Sequence, residues 1–222
     1  MSKHRRNNKP KLSLFDKRFR EVTRSDATIK IIQSARRQGK TTFIVKDALR
    51  KAFLKPCQKI IICSANSAMV EITFSRIVSQ LKGITYTLRR NYLKFANGSE
   101  LRVFSARGES EWLGQQADFL YVDDAECMRD RCWEHILPTM REQGNLLITI
   151  TPRPNVLSAY PALERLYNRA ESTPNSFFHW PIVGKERKDL EAQFYNSDYT
   201  LGARGLVGSD FSFIGFDPIL IA

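Results

Sequence analysis

The chain has 222 residues, 42% of them apolar and 26% charged, with a formal net charge of +12. That length holds one full core, or a core with a small appendage, and an ordinary apolar fraction means that most of it folds. No apolar run approaches the roughly 20 residues that cross a bilayer. The positive excess favours a polyanionic partner and says nothing about the fold.

The chain opens on "MSKHRRNNKPKLS", which has the charge of a signal peptide's first part but no apolar segment after it. A soluble, intracellular protein is expected. Through residue 24, nine basic residues (Lys3, Arg5, Arg6, Lys9, Lys11, Lys17, Arg18, Arg20 and Arg24) face only Asp16 and Glu21. Residues 1–24 read as a basic arm, either solvated or bound to nucleic acid.

From residue 27, short apolar runs alternate with amphipathic segments. "TIKIIQSA" (28–35) is strand-like, and 40–54 is helical, with Phe43, Val45, Ala48, Leu49 and Ala52 on its apolar side. "KIIICSA" (59–65) is a second buried strand, and 67–81 a second helix carrying Val70, Phe74, Ile77, Val78 and Leu81. "YLKFANGSELRVFSA" is a hairpin turning at Asn97-Gly98. "DFLYVDDAE" (118–126) is a third buried strand running into acids; a helix is expected over 130–141, and "NLLITITP" (145–152) is a fourth strand stopped by Pro152 and Pro154. Cys57, Cys63, Cys127 and Cys132 form no C-x-x-C pair and the three histidines are scattered, which favours reduced, mostly buried thiols over zinc or a disulfide frame.

Strands alternating with helices imply an α/β protein with a mainly parallel central sheet flanked by helices on both faces. Ligands of such sheets sit outside the carboxyl ends of the strands. Three segments fall there: 34–42, 123–126 and 149–153. The first, "SARRQGKTT" (Ser34, Ala35, Arg36, Arg37, Gln38, Gly39, Lys40, Thr41, Thr42), has the order of a phosphate-binding loop but begins with serine where the standard pattern has glycine. Gly39 would admit a close approach to phosphates, Lys40 would reach the β- and γ-phosphates, and Thr41 would hold Mg2+. A basic turn capping an ordinary helix is the plainer alternative. Asp123 ends a buried strand, where it would hold the metal through water, and Asp124 would orient or deprotonate a water; acids in such places also simply start helices.

"SARRQGKTT", "YVDDAE" and "ITITPRPN", in this order, resemble the ATPase domain of the terminase large subunit, the motor that packages DNA into tailed-phage and herpesvirus capsids. The likeness covers roughly residues 25–155 and includes the hairpin and its lead into the second motif. It implies a P-loop NTPase that uses ATP and Mg2+, and a phosphate loop in which Ser34 and Arg36 are expected departures from the standard pattern. By the same resemblance Lys40 and Thr41 bind phosphate and magnesium, Arg36 senses or stabilises the γ-phosphate, and Thr149 and Thr151 couple hydrolysis to movement. β-branched residues that merely suit a strand remain the alternative for either threonine. Implied partners are double-stranded DNA, a portal protein, a small terminase subunit and further copies in a homo-oligomeric ring, in the host cytoplasm and away from any membrane.

Two departures from the family stand out. Asp124 occupies the place of its catalytic glutamate, with Glu126 close by as a further candidate, and Leu113-Gly114 stands where the family often has Arg-Gly. A trans-acting arginine is therefore unassigned, with Arg107 a weak candidate. The expected organisation is a basic arm (1–24), an ATPase domain (25–184) and an extension (185–222) too short for the family's nuclease domain, so nuclease activity is not expected. Asp210 and Asp217 in that extension are too few to form a nuclease core. An excised domain, a truncated frame and half of a split terminase remain open. Competing functions are a helicase-like or repair ATPase and a non-hydrolysing nucleic-acid-binding remnant, for which Arg89, Arg90 and Lys94 on the hairpin are candidate contacts.

Overall fold

The computed structural model describes residues 13–152, 157 and 160–181. Lys3 to Lys11 of the arm, Arg153, Pro154 and the extension 185–222 lie outside them. Eight strands form one sheet: β1 (Ile29–Ser34), β2 (Lys59–Ser64), β3 (Tyr86–Arg89), β4 (Tyr92–Phe95), β5 (Glu100–Ser105), β6 (Ala117–Val122), β7 (Met140–Ile150) and β8 (Phe177–Trp180). Their spatial order is β3-β4-β5-β2-β6-β7-β1-β8. The neighbours from β5 to β8 all pair in parallel, and β4 runs antiparallel to both β3 and β5.

Each central strand divides its side chains between two cores, because successive residues point to opposite faces. Ile32, Ile60, Ile62, Tyr121 and Leu147 pack under α1 (Leu14–Arg24), α2 (Lys40–Leu54) and α3 (Ser67–Ser79). Ile31, Ile61, Leu120, Val122 and Ile148 pack on the other side, against Trp112 of α4 (Glu109–Trp112), Trp133 and Ile136 of α5 (Trp133–Ile136) and Leu163 of α6 (Pro161–Ser172). Burial on both faces explains why these strands read as near-continuous apolar runs. No helix among the described residues is long and apolar enough to cross a membrane.

Two expectations need correction. The helix expected over 130–141 is a one-turn helix, α5, between 3-10 turns at Asp130–Cys132 and Leu137–Thr139, and Met140 already begins β7. Pro138 has no N–H with which to extend the α-helical ladder, and it stands instead at the start of the 3-10 turn, a position that needs no such donor. β7 thus starts five residues earlier than the apolar run suggests, with an irregular register between Ala117 and Phe119 of its neighbour. The second difference lies in the stretch read as an arm. Residues 14–24 form a capped helix, with Ser13 and Asp16 exchanging the two bonds of a capping box. Phe15, Phe19 and Val22 recur at helical spacing and pack into the first core, an apolar stripe masked in the sequence by the charge around it.

Candidate functional site

The strands β6, β7 and β1 lie side by side, and their carboxyl ends bring the three chemical segments together. Between β1 and α2 the backbone turns through two left-handed residues, Arg37 at φ 62° and Gly39 at φ 88°. Gly39 is also the residue before α2, and with no side chain it leaves the first-turn amides of the helix uncapped by its own residue. Such amides, together with the positive end of the helix dipole, suit an anion.

Lys40 is buried, and its ammonium is held at three points: the carbonyls of Ser34 at 3.0 Å and Ala35 at 3.1 Å, and Thr151 Oγ1 at 2.9 Å. Burial lowers its pKa, and the charges of Asp124, Glu126 and Asp123 push it back up, against Arg36. Next in the chain, the Thr41 hydroxyl donates to Asp123 Oδ2 at 2.7 Å. The other oxygen of Asp123 accepts the Thr149 hydroxyl at 2.7 Å, and Thr149 Oγ1 in turn accepts the Asp124 N–H at 3.0 Å. Burial, then the neighbouring Asp124, raises the pKa of Asp123, while the Thr149 and Thr41 hydroxyls and Lys40 act the other way.

Thr149 and Thr151 share one face of β7, as alternation requires, and each reaches a different segment: Thr149 the acids after β6, Thr151 the loop lysine. Asp124 is half-buried in a left-handed conformation, φ 52° and ψ 55°, one of the few that aspartate tolerates better than most residues. That reversal turns the following 3-10 turn inward and brings Glu126 back to the site. Glu126 is buried, its carboxylate takes the Thr151 N–H, and its charge bears on Lys40. Burial and Asp124 raise its pKa. Spacing along the chain did not foretell this approach, because the left-handed step at Asp124 is not visible in residue type alone.

The remaining residues are less central. Arg36 is exposed, close enough for its charge to bear on Lys40; Arg37 is exposed, and Thr42 is half-buried in the first turn of α2. Arg107 lies exposed in the turn after β5. The Gln38 side chain accepts a bond from Arg18 of α1, a contact missed in the sequence because α1 itself was read as arm.

Thr41 and Asp123 are the pair suited to a hard cation: a hydroxyl and a carboxylate in contact beside uncapped amides. No group of three His, Cys, Asp or Glu among the described residues makes a ready cage.

Solved structures share this architecture. The large terminase ATPase domain of Thermus phage P74-26 is 22% identical, with 79% of this chain and 86% of that one covered and a TM-score of 0.62. The large terminase of bacteriophage HK97 is 18% identical over 80% of this chain and 40% of its own, with a TM-score of 0.62. The large terminase of a thermophilic bacteriophage, in complex with ATP-gamma-S, is 14% identical over 82% of this chain and 49% of its own, with a TM-score of 0.55. The chain thus spans half or less of the length of these last two. At such identities the likeness establishes the fold alone, a P-loop fold with a mostly parallel sheet flanked by helices. No curated protein matches the sequence. The family model for the N-terminal part of the terminase large subunit, T4likevirus-type, matches residues 31–160, which include the loop, both acids and both threonines. The chain therefore belongs to the T4likevirus-type terminase large subunit family, through that family's N-terminal part.

Proposed function

We propose that the chain binds ATP at the Lys40 loop, hydrolyses it, and serves as the motor that moves double-stranded DNA into a viral procapsid. The observation that carries the reading is the closed set of bonds linking Lys40 and Thr41 of the loop to Thr151, Asp123 and Thr149 at the ends of neighbouring strands. Such a set senses a phosphate: a γ-phosphate that draws Lys40 away from Thr151 reports its presence to β7.

Thr41 and Asp123 would hold Mg2+, which offsets charge on the β- and γ-phosphate oxygens. The amides of residues 39–42 cradle the phosphates, Lys40 holds them, and Arg36 is placed to meet charge on the γ-phosphate. Asp124 orients a water and takes its proton as the water oxygen bonds to the γ-phosphorus and ADP leaves. Glu126, through the Thr151 amide, holds the end of β7 in the position that Lys40 reads. DNA contacts fall to exposed basic residues: Lys17, Arg20 and Arg24 on α1, and Arg89, Arg90 and Lys94 on the β3–β4 hairpin. A homo-oligomeric ring, a portal protein and a small terminase subunit in the host cytoplasm complete the reading.

Phosphate release from ATP, with and without double-stranded DNA and over a wide protein concentration range, tests it. Turnover lost in Lys40→Ala and raised by DNA or concentration is expected. Aspartate in the place of the family's glutamate supports a second reading, a non-hydrolysing nucleic-acid-binding remnant. Lys40-dependent ATP binding without turnover at any concentration would favour that reading and overturn the motor.

A further inference from the structure

Helix α1 touches the phosphate loop itself. A side chain on Gly39 would begin 3.3 Å from the Phe15 ring, so the ring closes over the loop's glycine. One turn on, Arg18 is only 7% exposed, a rare setting for a guanidinium. Its two terminal nitrogens part company. One donates to Gln38 Oε1 of the loop at 3.4 Å, and the other to the carbonyl of Pro181, the residue that follows β8. The guanidinium carbon stands 5.4 Å from the centre of the Trp180 ring, within cation–π reach. Phe19, Phe43 and Trp180 continue the ring contacts beneath it, with centres 5.1 and 5.7 Å apart.

We propose that Arg18 is a positioning residue of the phosphate loop, a clamp that joins Gln38 to the end of β8. This rests on reading the loop as an ATP site. A rigid, planar guanidinium carries its donors on separate nitrogens in fixed directions and so reaches two acceptors that lie apart, whereas a lysine gathers its donors on one compact ammonium. The clamp makes the loop's shape and the point where the chain leaves β8 move together. Nucleotide binding at the loop therefore reaches Trp180, whose ring Arg18 covers. A role confined to anchoring α1 would instead lower the melting temperature and leave ATP affinity and the Trp180 signal alone.

The test uses the full chain and titrates ATP while following tryptophan fluorescence and the thermal midpoint, with Trp180→Phe to assign the signal and Lys40→Ala as the binding control. In the wild type, ATP is expected to change Trp180 fluorescence. Arg18→Met and Gln38→Ala are each expected to weaken ATP about fivefold and to remove that change, with no further weakening in the double variant. Arg18→Lys should not restore affinity. If Arg18→Met fails to fold, Gln38→Ala and Arg18→Lys carry the comparison. Wild-type affinity in the variants, or effects that multiply in the double variant, would overturn the clamp alone. A wild-type chain that binds no ATP would overturn the nucleotide reading and the clamp with it.

Discussion

One hydroxyl of β7 holds both acids that follow β6: Thr149 Oγ1 donates to Asp123 Oδ1 at 2.7 Å and accepts the Asp124 N–H at 3.0 Å. The third segment is therefore fixed to the second before any ligand is considered. Thr149→Val keeps the shape and the strand preference but takes this partner from Asp123 Oδ1 and from the Asp124 N–H. Unfolding in urea should show a loss of about 1–3 kcal/mol, and phosphate release should fall, while Thr149→Ser retains most of both. A valine variant as stable as the wild type would mean that Thr149 is there for its β-branched shape.

Asp124 separates backbone fit from chemistry. Its left-handed conformation suits aspartate and asparagine and strains longer residues. Asp124→Asn is expected to fold with unchanged stability, to bind ATP as before, and to lose about 100-fold or more in turnover, the range of a missing general base. Asp124→Glu restores the family's residue but places it at φ 52°, so a loss of stability of about 1 kcal/mol should accompany any gain in rate. Unaltered turnover in the asparagine variant would remove Asp124 from the chemistry.

Gly39 is constrained twice, by its φ of 88° and by the Phe15 ring 3.3 Å from the place of a first side-chain atom. Gly39→Ala should cost about 1–2 kcal/mol in unfolding and weaken ATP, because the loop must shift to admit a methyl group. Phe15→Leu in the same chain should recover part of the stability and little of the affinity. Full recovery of both would make the ring, and not the backbone, the constraint.

The elements that could be read in the sequence are those buried on both sides or strongly amphipathic. The runs at 28–35 and 59–65 became β1 and β2, and 40–54 became α2 with the same bounds, because burial on two faces leaves continuous isoleucine runs and a helix keeps its apolar side. What could not be read was short, exposed or, as in α1, masked by surrounding charge. β3 is an edge strand with three exposed residues out of four, and β8 is four residues long, so neither offers a periodicity to detect. The strand-end position of Lys40, Asp123 and Thr149 followed from where apolar runs stop. The inward return of Glu126 and the contact of Arg18 with Gln38 depend on a left-handed residue and on tertiary packing, which residue type does not encode.

The stability of α2 beneath the site depends on a polar network in the first core. Tyr121 of β6 is fully buried and its hydroxyl donates to Asp47 Oδ2 at 2.8 Å, while Arg50 holds Oδ1 at 2.9 and 2.7 Å. Burial, then the charge of Asp47 and the bond to it, pushes the Tyr121 phenol well above its ordinary value, so it remains a donor throughout the range in which the protein is handled. Tyr121→Phe leaves one oxygen of a buried carboxylate without that donor. A loss of about 1–3 kcal/mol is expected in urea unfolding, with ATP affinity unchanged because the network lies inside the core and not at the loop. Removing the acid as well, in Tyr121→Phe with Asp47→Leu, should cost less than the sum of the two single changes, since the stranded carboxylate is then gone. No loss in Tyr121→Phe would mean that Asp47 is satisfied by Arg50 alone and that Tyr121 contributes only its ring.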